Sequence, residues 1–406
     1  MAQFVTMAKP VGSYCNMRCS YCYYLKAENG QSFDSIRMDD EVLEEYIKQA
    51  ILSVEGPTVS FTWHGGEPTL AKLSFFEKVV SLQKKYLPEG WDCWNNIQTN
   101  GLLMDETWCK FFKENQFDIG LSIDGTGLVH NTYRLDERGN STYERVMHAL
   151  DLMKSYGLKP DLLCTVTSDT TMSAKAVYAK LHTNQTGWIQ FIPIVRRYPD
   201  GSVTEDSVSP IQYGNFLKTI FKEWIGNDLG KLNVQLFAET SLQLTGKEAM
   251  ACQLKETCGD VLVVEKDGSV FSCDHFVNPE HHLGNVLETS LKDLYESRPQ
   301  REFGLNKKNT LSKKCLSCEW LKLCHGGCPK DRFFINEDGE NQYYLCEGMK
   351  LFYEYAVPRL QNAIQLSKHG YSQKEIIEYE RLNKETLFSL DLSHHRTYRS
   401  DRKSVV

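Results

Sequence analysis

The chain has no apolar run approaching the ~18 residues that a bilayer span requires. Its first residues, MAQFVTMAKPVGSYCNM, hold no apolar segment of the kind a secretory signal carries. It also lacks a basic footprint: 46 lysines and arginines stand against 53 aspartates and glutamates, for a net charge of −7. That balance argues against a general nucleic-acid binder. No internal repeat or low-complexity segment is present. What remains is a chain of 406 residues, 41% hydrophobic and 24% charged, long enough to bury a large core and to exceed one typical domain. A soluble cytoplasmic enzyme, with no membrane or nucleic-acid partner, is expected.

Fourteen cysteines are the unusual presence. Disulfide frameworks belong to small secreted domains, and this chain is neither small nor visibly exported. The cysteines also cluster, three at 15–22, three at 252–273 and five at 315–346. Cys93, Cys109 and Cys164 fall outside these groups and read as buried or incidental thiols.

Cys15, Cys19 and Cys22 are spaced C-x3-C-x2-C. Three thiolates on one short loop can hold three irons of a cubane cluster, which normally takes four cysteines. No fourth follows until Cys93, so one iron is left open. Open coordination separates a catalytic metal site from a structural one.

Short β-rich runs alternate with helical stretches from about residue 4 to 226. The strand candidates are 4–9, 58–63, 94–98, 118–123, 161–167 and 188–195. Helical segments lie near 40–54, 72–86, 105–115, 142–156, 173–184 and 211–226. Ser141 with Glu144 has capping-box spacing, and Ser209-Pro210 supplies a cap followed by proline at the first helical position. Such alternation implies right-handed βαβ units and a parallel sheet, hence an α/β fold. Six repeats suit an open barrel, although the pattern alone would also serve a doubly wound sheet. Either way, functional residues gather at the C-terminal strand ends. The cysteine triplet, Gly65-Gly66-Glu67, Thr99-Asn100-Gly101 and Ser122–Gly125 all sit there.

Beyond residue 250 the texture changes. Residues 261–273 read as a β-hairpin turning at Lys266-Asp267-Gly268. A short helix around 290–297, cysteine-dense loops to Cys346 and a helix from near Glu347 follow. The last dozen residues, with His394, His395, Arg396 and Arg399, read as a solvated end. Three units are expected: 1–235, 236–365 and a helical, charged tail at 366–406.

Eight cysteines lie in the second constellation: Cys252, Cys258 and Cys273, then Cys315, Cys318, Cys324, Cys328 and Cys346. They could close two four-cysteine sites. By ligand type, Cys315-x2-Cys318 also suits a structural zinc ribbon. Spacing does not assign the partners.

The triplet, with Tyr21 before its last cysteine, resembles the radical S-adenosylmethionine enzymes. That resemblance implies a partial (β/α)6 TIM-like barrel. It also implies that the cofactor's methionine chelates the open iron, and that an electron from the cluster cleaves it to a 5′-deoxyadenosyl radical. Gly65-Gly66-Glu67-Pro68 is similar to the family's GGE motif, whose backbone binds the methionine amino group. Glycine permits such close approach, although a plain strand-end turn would look the same. Ser122 and Asp124 could bind carboxylate or ribose hydroxyls, and the fork of Arg134 matches a carboxylate, although a surface arginine would look the same. The resemblance further implies cofactor contacts from the Tyr21 backbone and from Val195. His64 and Asn100 would line the pocket.

The later cysteine run resembles the SPASM extension, which carries two auxiliary [4Fe–4S] clusters and makes three in all. The resemblance assigns Cys252, Cys258, Cys273 and Cys328 to the nearer cluster, and Cys315, Cys318, Cys324 and Cys346 to the distal one. Asp274 follows Cys273 in VFSCDHFV. It would either cap the hairpin end or serve as a general base beside an electron acceptor, with His275 as deputy.

The whole set (CNMRCSYCYY, WHGGEPTL, IQTNG, LSIDG, IQFIPIV, SCDHFV, LGN and the terminal cysteines) resembles the anaerobic sulfatase-maturating enzymes. The likeness runs to about residue 360. It implies oxidation of a cysteine or serine in an unfolded sulfatase segment of the form C/S-x-A/P-x-R to Cα-formylglycine. It also implies a flavodoxin or ferredoxin donor. A ribosomal-peptide maturase forming thioether or carbon–carbon crosslinks is the rival of the same superfamily. Many of those carry an N-terminal leader-binding module; with fourteen residues before Cys15 none is expected here, although a separate protein could provide it. A zinc-stabilised, non-catalytic scaffold is the rival of another class.

Overall fold

The computed structural model describes residues 4–24, 37–184 and 187–383. The expected solvated end with His394, His395, Arg396 and Arg399 lies outside the described residues. Six strands form the frame: β1 (Val5–Ala8), β2 (Thr58–Trp63), β3 (Asp92–Thr99), β4 (Phe117–Ser122), β5 (Asp161–Val166) and β6 (Trp188–Pro193). Each pairs in parallel with the next, through intervening helices. A doubly wound sheet would reverse its order at a switch point. Here the order runs monotonically from β1 to β6, and β1 does not pair with β6, so the barrel is open.

Both edges are extended. The two-residue β7 (Asn233–Val234) adds to β6. At the other edge β8 (Val261–Val264) lies parallel to β1, with Val5 opposite Val261 and Ala8 opposite Val264. β9 (Ser269–Phe271) and β10 (His282–Asn285) continue antiparallel, so ten strands make one sheet. The cysteine-rich segment is therefore joined to the barrel through main-chain hydrogen bonds. The hairpin turns at Gly268, which takes φ +83, a conformation that glycine adopts without steric cost.

Strand β2 alternates exposed and buried positions, sending Val59, Phe61 and Trp63 inward. Helix Leu73–Tyr86 answers with Phe75, Phe76 and Val79, and the Trp63 and Phe76 rings meet edge-on at 5.7 Å. Burying each such ring contributes about 2–3 kcal/mol. Helix Pro210–Asn227 starts with the anticipated Ser209 cap, completed by Gln212. The capping box expected from Ser141 and Glu144 does not form. Helix Tyr143–Ser155 starts after Thr142, whose hydroxyl instead donates to the Arg134 carbonyl at 2.6 Å. Tertiary demand on that hydroxyl outweighs the local cap.

The helix expected at 290–297 is Leu291–Tyr295, and a longer one, Arg298–Asn309, follows it. Sequence reading missed this second helix because only Gln300, Gly304 and Lys307 are buried along it, so it carries no apolar stripe. Helix Cys346–Lys368 crosses Pro210–Asn227 closely, since a Cβ at Gly348 would stand 2.1 Å from the Pro210 carbonyl oxygen. The last described helix is Gln373–Leu382.

Candidate active site and cluster-binding loops

The loop after β1 curls so that Cys22 N donates to the Cys19 carbonyl at 3.0 Å. The Cys15 sulfur accepts from Met17 N at 3.4 Å and faces Asn100 Nδ2 at 3.7 Å. Burial pushes the Cys15 thiol up to about 12, and the Glu67 carboxylate and the neighbouring Cys19 and Cys22 push the same way, against the Met17 amide. Burial also raises the Cys19 thiol, and thiolates in such a loop are stabilised when bound metal takes their charge. The donor set therefore fits a metal cluster. Among the described residues no three His, Cys, Asp or Glu side chains close on a single ion. A cubane is larger than an ion and is gripped at its corners, so it does not require that convergence.

Gly65-Gly66-Glu67 leaves β2 directly against this loop. Gly66 N donates to the Gly12 carbonyl at 2.8 Å, and Glu67 N to the Tyr14 carbonyl at 2.9 Å. A Cβ at Gly66 would lie 2.0 Å from the Tyr14 oxygen, so only glycine fits. The buried Glu67 carboxylate accepts from Thr69 N, the Thr69 and Thr99 hydroxyls and Asn100 N, at 2.6–3.1 Å. Its side chain ties the loop after β2 to the loop after β3. His64 Nδ1 accepts from Gly65 N at 2.7 Å.

At the end of β4, Ser122 Oγ accepts from Gln98 Nε2 at 2.9 Å. Asp124 is buried, accepting from the Tyr21 hydroxyl at 2.5 Å and from Thr165 N at 3.0 Å. Arg134, also buried, donates to the same Tyr21 hydroxyl at 2.9 Å, while its Nε has no partner in the protein. An orphaned buried donor beside Cys19 is the kind of group a bound anion would satisfy. Val195 packs half-buried against the core after β6. Tyr21, Asp124 and Arg134 are thus joined beside the first cysteine loop, while Ser122 ends β4 and Val195 follows β6.

Asp274 stands where the two cysteine regions meet. The Tyr23 hydroxyl donates to its Oδ2, and the fully buried Lys9 ammonium lies 2.6 Å from its Oδ1. The two form a buried ion pair. Burial alone would raise the carboxyl, but Lys9, with His64 and His275, holds it well below the usual carboxylate range. Lys9 also faces the Tyr24 ring at 3.5 Å, and Tyr24 donates to buried Glu265 at 2.5 Å. His275 meets the Tyr23 ring edge-on, and burial pushes its imidazole down to about 4. Lys9, Tyr23, Tyr24 and Glu265 were missed in the sequence. A lysine ending β1 in MAKP carries no local mark, and its role arises only from pairing with β8.

The remaining cysteines fall into two spatial groups. Cys252, Cys258, Cys273 and Cys328 interact electrostatically with one another. Cys315, Cys318, Cys324 and Cys346 line one pocket, with Trp320, Tyr343 and Tyr353 among its walls. The interleaving that spacing left open is thus what the fold brings together. Cys109 and Cys164 are buried and Cys93 is half-buried.

Comparison with known proteins agrees with this geometry. The Radical SAM superfamily matches residues 10–172, and a family described as an iron-sulfur cluster-binding domain, SPASM, matches 252–319. A serine-type anaerobic sulfatase-maturating enzyme of Bacteroides thetaiotaomicron is 38% identical over 369 residues, covering 87% of this chain and 89% of the relative. A cysteine-type enzyme of Clostridium perfringens is 36% identical, covering 88% and 97%. A solved structure described as native anSMEcpe with bound AdoMet and Cp18Cys peptide superposes with TM-score 0.80 at 35% identity, covering 88% and 98%. Streptococcus suis SuiB bound to its precursor peptide shares the fold alone, at TM-score 0.61 and 14% identity.

Proposed function

The chain belongs to the anaerobic sulfatase-maturating enzymes, and from that premise we propose how its own residues divide the work. It is a radical S-adenosylmethionine oxidoreductase that converts a cysteine or serine of a sulfatase polypeptide to Cα-formylglycine, using that cofactor and three [4Fe–4S] clusters. Cys15, Cys19 and Cys22 would hold the cluster that leaves one iron open. Cys252, Cys258, Cys273 and Cys328 would hold the nearer auxiliary cluster, and Cys315, Cys318, Cys324 and Cys346 the distal one. The Tyr21 and Gly65–Glu67 main chain, Ser122, Asp124, Arg134 and Val195 would bind the cofactor. We keep the division into a barrel at 1–235, a SPASM unit at 236–365 and a tail at 366–406.

The cofactor and its cluster supply, when bound, a hydrogen-abstracting carbon radical. Asp274 then does the acid–base work. Once Cβ of the target has lost hydrogen, the adjacent thiol or hydroxyl proton becomes far more acidic, and a carboxylate kept ionised by Lys9 accepts it. The electron left behind needs an acceptor close by, and Cys273 is covalently adjacent to Asp274. For a cysteine target, loss of hydrogen, proton and electron yields a thioaldehyde, which water hydrolyses to aldehyde and hydrogen sulfide.

One observation supports the reading most directly. Tyr23 follows Cys22 and Asp274 follows Cys273, and the two are hydrogen-bonded across the sheet. That contact supports a base lying between the first cysteine loop and the loop that carries Cys273. The substrate segment is proposed to follow C/S-x-A/P-x-R, and the donor to be a flavodoxin or ferredoxin. Among the described residues no helix is long and apolar enough to cross a membrane.

The test is anaerobic incubation of reduced protein, S-adenosylmethionine and a Cys-x-Pro-x-Arg peptide, with mass spectrometry for the aldehyde. Unchanged peptide with 5′-deoxyadenosine still forming would favour the peptide-crosslinking alternative. Zinc in place of about twelve irons per chain would leave only a scaffold.

A further inference from the structure

Two cations lie in the cysteine-rich unit where the two auxiliary cysteine groups approach each other. Lys307, on helix Arg298–Asn309, is 1% exposed. Its ammonium donates to the carbonyls of Cys252 at 2.6 Å, Gln253 at 3.0 Å and Lys255. It grips the first turn of the loop that carries Cys252 and Cys258. Arg332 follows the short turn Pro329–Asp331. Its Nε donates to the Gly326 carbonyl at 2.8 Å, and Nη2 donates to the carbonyls of His325 at 2.8 Å and Gly327 at 3.4 Å. Nη1 donates to the main-chain carbonyl of Lys307 itself, tying the two cations into one strut.

Those three carbonyls are the whole span between Cys324 and Cys328. Cys324 lines the distal cavity, while Cys328 belongs with Cys252, Cys258 and Cys273. His325-Gly326-Gly327 is therefore the shortest covalent bridge between the two groups, and one guanidinium holds every carbonyl along it. Its charge also reaches thiols of both groups, Cys315 and Cys324 on one side and Cys328 and Cys258 on the other. Lys307 interacts most with thiols of the nearer group, Cys258, Cys252 and Cys328.

A cluster held by four thiolates is anionic and becomes more so on accepting an electron. A fixed positive charge beside it in a low-dielectric site stabilises the reduced form most, and so raises the reduction potential. Arg332 is always charged at accessible pH, so the effect needs no titration.

We propose that the Lys307–Arg332 strut is an electrostatic positioning device for the departing electron: Arg332 fixes the bridge between the two auxiliary sites and raises the potential of both, while Lys307 raises that of the nearer one alone. This rests on the reading that both cysteine groups hold iron–sulfur clusters. Neither residue touches the substrate, so each acts through the clusters.

The experiment is an EPR-monitored redox titration of anaerobically purified full-length protein, with iron counted in every sample. Wild type lacking iron at the auxiliary sites would defeat the underlying reading rather than this inference. For Arg332→Gln the expected result is a fall of both auxiliary potentials. At the wild-type midpoint the oxidised-to-reduced ratio should rise tenfold or more, about 59 mV for one electron. The cluster at Cys15, Cys19 and Cys22 should stay unmoved. Arg332→Lys should keep most of the wild-type potential, and Lys307→Gln should lower the nearer cluster only.

Full iron content with unshifted potentials in Arg332→Gln overturns the proposal. If Arg332→Gln cannot be loaded while Arg332→Lys can, Lys307→Gln decides, and an unshifted nearer cluster there overturns it. Loss of auxiliary iron from all three variants would show a purely structural clamp and overturn it too.

Discussion

Lys9 and Asp274, separated by most of the chain, form an ion pair at 2.6 Å between the end of β1 and the segment after β9. The register of β1 on β8 causes it. With Ala8 opposite Val264, Lys9 N donates to the Val264 carbonyl at 2.9 Å, and its side chain is delivered under the returning hairpin. A fully buried ammonium is tolerated there because Asp274, Glu265 and the Tyr24 ring surround it.

Replacing Lys9 by Met should therefore leave Asp274 with burial but without its main counter-charge. The carboxyl then rises, since Lys9 is the largest influence holding it down. Wild type keeps the group ionised at all working pH values, whereas the variant gains an acidic limb and yields less aldehyde as pH falls. Removing one partner of such a pair should also cost about 3–5 kcal/mol of stability. Single-turnover aldehyde yield against pH checks this, and a pH profile identical to wild type would count against it. Lys9→Arg should restore much of the neutral-pH yield.

Asp274→Asn should retain all three clusters and still cleave S-adenosylmethionine, yet lose aldehyde by at least ~100-fold, the usual worth of a positioned base. Aldehyde and 5′-deoxyadenosine measured in the same reaction separate the two steps. Equal yields of both would remove Asp274 from the base role.

Cys15→Ala should abolish cofactor cleavage while leaving the eight later cysteines intact. Iron should fall from about twelve to about eight per chain. Cleavage surviving in that variant would defeat the reading of the first loop.

Gly66→Ala places a methyl 2.0 Å from the Tyr14 main-chain oxygen, which has no freedom to withdraw. The cysteine loop or the β2 loop must move. A stability loss of about 1–3 kcal/mol is expected, with weaker S-adenosylmethionine binding in equilibrium dialysis. Wild-type affinity would show that the two loops are not jointly required.

His130 gives a pH signature from behind Asp124. Its ring is buried, accepts from Asp124 N at 3.3 Å and shares a hydrogen bond with the Thr142 hydroxyl at 3.0 Å. Burial, aided by Arg134, pushes it from 6.5 down to about 2. The unfolded chain therefore binds the extra proton first, and stability falls as pH drops through 6.5 toward 2. Between pH 7.5 and 6.0 wild type should lose about 0.8 kcal/mol relative to His130→Gln. Denaturant midpoints at the two pH values measure it, and equal losses would refute the burial argument.

Local pattern determined much of this protein. The six strands and the helices between them follow from alternation and caps, because such preferences act within a few residues. The clustered cysteines, the glycine turn and Asp274 were visible because their chemistry is scarce and their spacing tight. The Ser141 cap failed because Thr142 answered to Arg134, a tertiary partner. Which auxiliary cysteines stand together, the ion pair under Asp274, the Tyr23 contact and the Lys307–Arg332 strut were decided only by the folded chain. Each depends on β8 joining the open edge of β1 or on loops crossing at Cys328. Those long-range pairings rest on main-chain hydrogen bonds and buried charge, which leave no periodic trace in the order of residues.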